Sequence, residues 1–214
     1  MQLADERRQL VDYCLKMQAD ELTVGTSGNL SIRSGEKIAI TPSGAAYEDL
    51  TPEAICVIDL DGKHVEGDLE ASSEVPMHTT VYRNTDAKAV VHTHPLYAST
   101  LSALITELPP IHYMVALLGG PVRVAPYATF GSRELAENSI TAMRDRFGAL
   151  LQNHGATTYG ESIGKAYTRS VYLEWCCRMY HQAKLIGEPN ILPTEEIELV
   201  AKKLDSYGQT VRTA

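Results

Sequence analysis

Cys56-Val57-Ile58-Asp59-Leu60-Asp61-Gly62-Lys63-His64-Val65-Glu66 is two short strands on either side of an Asp-Gly turn. Asp-Gly adopts the positive φ that a tight hairpin needs, so residues 56–60 and 63–66 are predicted as antiparallel neighbours. Upstream, residues 29–32 and 37–41 read as two more short strands with turn residues between them. Before those, Leu3, Leu10, Val11, Cys14 and Leu15 recur at helical spacing, which predicts an amphipathic helix over 2–20. Downstream, 74–83 reads as a helix, 89–93 as a buried strand ended by Pro95, and 96–104 as another helix. Residues 122–125 form a strand, and Ser132 caps a helix that carries Leu135, Ile140, Met143 and Phe147 on one face. A strand over 149–152 runs into the turn Asn153-His154-Gly155; a long helix spans 162–186, and Thr194 caps a last one. Helices and strands mix without βαβ alternation, which predicts an α/β fold: three layers, with a central mixed, largely antiparallel sheet flanked by helices. No repeat or linker breaks the chain, so residues 1–214 are read as a single domain.

Composition narrows the function. Of 214 residues 44% are apolar, enough for a core that needs no covalent staples. Nineteen Lys and Arg against 27 Asp and Glu leave a formal charge of −8, which argues against nucleic acid as a partner. No run of about 18 apolar residues occurs, so no membrane span is expected. The N-terminal residues are polar and charged, unlike a secretory signal. Cys14, Cys56, Cys176 and Cys177 show no metal or disulfide spacing and suit a reducing cytoplasm.

The chemistry concentrates at strand ends. His92 and His94 are alternate residues of a strand, so both imidazoles project to one face, an arrangement suited to a divalent metal. His154 occupies a similar place, just after the strand 149–152. It is either a turn histidine or a third ligand completing a site with an open position, which is the catalytic pattern. Glu74 starts a helix, where a carboxylate can simply complement the dipole. Around it, Thr26-Ser27-Gly28-Asn29, Thr41-Pro42-Ser43-Gly44 and Ala71-Ser72-Ser73 are small hydroxyl- and glycine-bearing segments. Each can be an ordinary turn; together beside a metal they can cradle a phosphate.

These segments in this order (Thr-Ser-Gly-Asn-Leu-Ser at 26–31, Thr-Pro-Ser-Gly at 41–44, Ser-Ser-Glu at 72–74, His-Thr-His at 92–94, Asn-His-Gly at 153–155) resemble the class II aldolase and adducin-head family over essentially the whole chain. Ile111-His112-Tyr113-Met114, the stretch 125–131 and Tyr207-Gly208 are similar to the family's sugar-phosphate aldolase branch. The resemblance implies that His92, His94, His154 and Glu74 bind zinc, with manganese or cobalt as substitutes, and that Glu74 doubles as acid/base. It implies that Gly28, Asn29, Ser43, Gly44, Ser72 and Ser73 hold the substrate phosphate. Tyr113 would come from a neighbouring subunit of a homotetramer, and Tyr207 would close the site. The implied reaction is metal-dependent cleavage of a ketose 1-phosphate to dihydroxyacetone phosphate and a short aldehyde. L-fuculose 1-phosphate is the first expectation, with 5-deoxyribulose or 5-methylthioribulose 1-phosphate as alternatives. A ribulose-phosphate 4-epimerase would need a further acid/base pair, and a non-catalytic scaffold would be expected to lack the histidines.

Overall fold

The computed structural model describes residues 1–205. Helix α1 (Ala4–Ala19) precedes four strands, β1 (Asn29–Ser34), β2 (Lys37–Ile40), β3 (Cys56–Asp59) and β4 (His64–Glu66). Then come α2 (Val75–Asn84), β5 (Ala89–Thr93), α3 (Leu96–Ser102) and the two-residue strand β6 (Glu107–Leu108). The chain continues with β7 (Val122–Ala125), α4 (Arg133–Ala142), β8 (Gly148–Leu151), β9 (Gly155–Gly160), α5 (Ile163–Ile186) and α6 (Thr194–Asp205). Among the described residues the strands form one nine-stranded sheet in the order β4-β3-β2-β1-β5-β9-β8-β7-β6. Its pairs are antiparallel except β7 with β8, so the predicted mixed, largely antiparallel sheet is what forms.

Strand alternation makes the layers. Leu30, Ile32, Ala39, Ala89 and Val91 turn to one face, where they pack with Leu10, Cys14 and Met17 of α1 and Ala166 and Tyr167 of α5. Ile38, Ile40, Val90 and Ala149 turn to the other, against Met77 and Val81 of α2 and Ala136 of α4. Each wholly buried Leu, Ile or Val contributes about 1.5–3 kcal/mol. Both faces of the central strands are covered, which is why 89–93 reads as a continuous apolar run.

Beyond the short β6, which the sequence pattern does not mark, α4 and β9 differ from expectation. Helix α4 stops at Ala142, short of Phe147. The Arg123 guanidinium donates to the carbonyls of Ala142 and Arg144, and Asp145 turns the chain in the left-handed region at φ 59°, so Phe147 lies outside the helix. Strand β9, central in the sheet between β5 and β8, follows directly on the Asn153-His154-Gly155 turn, where the sequence pattern predicts no strand.

Candidate active site

Four elements deliver the donors. β5 carries His92 on the same face as Val90, toward α2. His94 follows the strand, its amide donating to the Leu22 carbonyl at 2.9 Å. His154 lies in the β8–β9 turn, where Asn153 takes the left-handed conformation at φ 53°. Gly155 is required there: a Cβ would collide with the Thr93 carbonyl oxygen. Glu74 occupies the N-cap position of α2, but its side chain makes no capping hydrogen bond. The carboxylate is turned instead into the histidine group.

Glu74, His92, His94 and His154 each place one donor atom within 4.8 Å of all the others. Glu74 Oε2 is 2.9 Å from His92 Nε2, and Oε1 is 3.7 Å from His154 Nε2. His92 and His94 Nε2 atoms are 2.8 Å apart, and the three rings meet edge-on with centroids 4.6–4.9 Å apart. His92 Nδ1 faces the Ala156 carbonyl at 3.0 Å and the Thr157 hydroxyl at 3.1 Å. A carbonyl only accepts, so His92 carries its proton on Nδ1 and presents the Nε2 lone pair to the cluster.

The donor set fits a divalent ion. Burial, reinforced by the neighbouring rings, pushes His94 down to about 3 and His154 down to about 4, so both imidazoles are neutral at neutral pH, as metal ligation requires. Burial pushes the Glu74 carboxyl up, but in the acid range where it would titrate, protonated His92 and His154 together with the Asn29 amide outweigh burial and hold the group well below the usual carboxylate range. Lone pairs and one negative charge thus converge in a buried place, a costly arrangement unless a cation joins them. Glu74 Oε1 is buried without a hydrogen-bond partner, a place that a cation would satisfy.

The cluster opens into a cavity of about 450 Å³ lined by Gly28, Asn29, Ser43, Gly44, Ser72 and Ser73 together with Glu74, His94 and His154. The three turn segments therefore do converge on the metal donors. Ser43 N donates to the Glu70 carbonyl (2.9 Å) and Ser72 N to that of Thr41 (3.1 Å), which ties two of the segments together. Among the described residues no Lys or Arg lines this cavity, so an anion in it would depend on hydroxyls, main-chain N–H groups and a bound cation. Tyr127 and Phe130, more than half exposed, form an apolar wall. A separate groove of about 620 Å³ beside Arg144 and Arg169 contains none of the donors.

Tyr113 does not line the cavity. It opens a short 3-10 helix (Tyr113–Leu118), is 47% exposed, and sits against His112 beside Trp175. Tyr207 lies outside the described residues. Asn29 lines the cavity, but its amide is engaged with Glu74 (Nδ2 to Oε2, 3.0 Å) and with His78 (2.5 Å). His78, behind Glu74, is not among the residues that sequence reasoning singles out; its one signal is its place four residues after Glu74.

The chain belongs to the class II aldolase and adducin N-terminal domain family, whose model matches residues 8–181. It is 44% identical over 212 residues to the 5-deoxy-D-ribulose 1-phosphate aldolase of Bacillus thuringiensis serovar kurstaki (strain ATCC 35866 / NRRL B-4488 / HD73), covering 98% of this chain and 100% of that one. To the L-fuculose phosphate aldolase of Escherichia coli (strain K12) it is 41% identical over 204 residues, 94% of each. A solved L-fuculose 1-phosphate aldolase superposes with a TM-score of 0.92 at 41% identity, covering 94% of this chain and 96% of that one. The chain is an enzyme of this family's aldolase branch, an aldehyde-lyase.

Proposed function

We propose that this chain cleaves a ketose 1-phosphate between C3 and C4, giving dihydroxyacetone phosphate and a short aldehyde. The observation that carries the reading is Glu74 Oε1, a buried, unpartnered carboxylate oxygen inside a three-histidine cluster at the floor of a hydroxyl-lined cavity. The proton leaves the C4 hydroxyl, the C3–C4 electron pair stays on the ketone fragment, the aldehyde departs, and a proton returns to C3. A divalent cation held by Glu74, His92, His94 and His154 would supply Lewis-acid stabilisation of that electron pair. Three imidazoles favour zinc, with manganese or cobalt able to substitute. Glu74 moves the C3 proton. Gly28, Ser43, Gly44, Ser72 and Ser73 hold the unreactive phosphate and so fix the reacting carbons, while Asn29, expected among them, lines the same cavity with its amide engaged by Glu74 and His78.

Tyr113 faces outward in its own chain and serves the C4 hydroxyl proton from a neighbouring copy, in a homotetramer with sites between subunits. Tyr207 closes the site. We read residues 1–214 as one domain working in the cytoplasm. The four buried, unpaired cysteines suit a reducing compartment, and no helix among the described residues is long and apolar enough to cross a membrane.

The apolar wall of Tyr127 and Phe130 suits an aldehyde ending in a methyl group. L-lactaldehyde from L-fuculose 1-phosphate is one such product. Acetaldehyde from 5-deoxyribulose 1-phosphate is the second reading, favoured by the relative matched over its full length. The test is release of dihydroxyacetone phosphate from these two substrates and from 5-methylthioribulose 1-phosphate, with and without chelator. One should be preferred, chelation should abolish cleavage, and zinc, manganese or cobalt should restore it. Cleavage that survives chelation and is trapped by borohydride would overturn the reading.

A further inference from the structure

Glu74, at the N-cap of α2, and His78 and Tyr82 within it are four residues apart and form one stripe along the helix. Asn29 and Ser31, two apart on β1, face that stripe. The two sets interlock in an unbroken chain of hydrogen bonds: Tyr82 OH to Ser31 Oγ (2.7 Å), Ser31 Oγ to His78 Nδ1 (2.6 Å), His78 Nε2 to Asn29 Oδ1 (2.5 Å) and Asn29 Nδ2 to Glu74 Oε2 (3.0 Å). All five side chains are buried, Ser31 and His78 completely.

The acceptors decide the direction. A carboxylate only accepts, so Asn29 turns its Nδ2 to Glu74 and its Oδ1 to His78. Oδ1 only accepts, so His78 carries its proton on Nε2. The ring then accepts at Nδ1 from the Ser31 hydroxyl, whose oxygen accepts from Tyr82. Complete burial keeps the ring neutral. Every proton along the chain points toward Glu74.

We infer that His78 is a positioning residue for proton transfer: by holding the Asn29 amide in one orientation it pins Glu74 Oε2 and so sets where the rest of the carboxylate points. The inference rests on the reading of Glu74 as the acid/base. Without a donor at the His78 Nε2 position, the Asn29 carbonyl oxygen would be buried and unpaired, and rotation of the amide would aim that oxygen at the carboxylate. Glu74 would then lose the amide donor that fixes Oε2. A histidine that merely fills the core would affect stability and leave turnover alone.

The experiment measures proton exchange at C3 of dihydroxyacetone phosphate by the metal-loaded enzyme, and records imidazole nitrogen spectra of the metal-free protein. The wild-type spectrum should show His78 protonated at Nε2 and bare at Nδ1. His78→Leu should lower the exchange kcat by about 10- to 100-fold, the range typical of partners that orient site ligands, with KM unchanged. His78→Gln, whose amide nitrogen falls where the ring Nε2 stood, should restore most of that loss. Ser31→Ala, a milder change should His78→Leu fail to fold, removes the donor to Nδ1 that seats the ring and should also lower kcat with bound metal constant. Equal rates for Leu and Gln, losses confined to KM or to metal content, or a His78 protonated at Nδ1 would overturn the inference. Failure of wild-type exchange would instead count against the function proposed above, and the tautomer would still decide whether the donor chain exists.

Discussion

Gly28→Ala tests how tightly the 26–29 segment is coupled to the histidine cluster. Gly28 has φ 83°, and a Cβ there would lie 2.8 Å from the main-chain carbonyl oxygen of His92, with Met17 Cε at 3.4 Å and Thr23 Oγ1 at 3.5 Å. The left-handed conformation costs an alanine about 1–2 kcal/mol. Relieving the contact requires a shift of roughly 0.5 Å or more in a backbone that pairs with β5 at Asn29, and overpacking of that kind costs about 1–3 kcal/mol. The total is about 2–5 kcal/mol, and at about 2–4 °C per kcal/mol for a chain of this size the Tm should fall by roughly 4–20 °C. Gly44→Ala is the control. Gly44 has φ 66° but nothing within 4 Å of the place a Cβ would occupy, so only the conformational cost of about 1–2 kcal/mol applies. Calorimetry of the two metal-free variants side by side gives the comparison. A Gly28→Ala protein as stable as Gly44→Ala would refute the argument that close approach, rather than turn geometry alone, demands glycine at 28.

Acid should destabilise the metal-free protein. His94 and His154 fall from an ordinary 6.5 to about 3 and about 4 in the fold, so below pH 6.5 the unfolded chain binds more protons, and stability should drop from there toward pH 4, as urea titrations at several pH values would reveal; a flat profile contradicts it. Mixing Tyr113→Phe with Glu74→Gln subunits should regenerate activity in hybrids, because each variant supplies what the other lacks; demonstrated subunit exchange without activity would rule out a shared site.

Much of the fold is legible because its signals are local. Asp61-Gly62 predicts the β3–β4 hairpin, and the apolar run before His92 predicts a strand covered on both faces. β9 escapes such reading because Gly155-Ala-Thr-Thr-Tyr-Gly160 carries glycine at both ends and no polar alternation. The end of α4 is not written in its own residues, because the carbonyl of its last residue, Ala142, and that of Arg144 just beyond it accept from Arg123, in a strand about twenty residues earlier. The donors Glu74, His92, His94 and His154 are identifiable by residue type and family resemblance, and they do meet. What stays hidden is how β1 faces α2. Asn29 reads as a phosphate contact, whereas its amide is committed to Glu74 and His78, a pairing that exists only once strand and helix are packed.

The central claim is that Glu74 is both a donor to the ion and the group that moves the C3 proton. Glu74→Gln preserves size and leaves an oxygen to accept from Asn29, while removing the basic carboxylate. The direct measurement is the rate at which this variant exchanges the C3 proton of dihydroxyacetone phosphate, a reaction that needs no aldehyde. With metal still held by His92, His94 and His154, the exchange should be slower by a factor of about 10²–10⁴. Exchange at the wild-type rate would contradict the account and move the proton to another group.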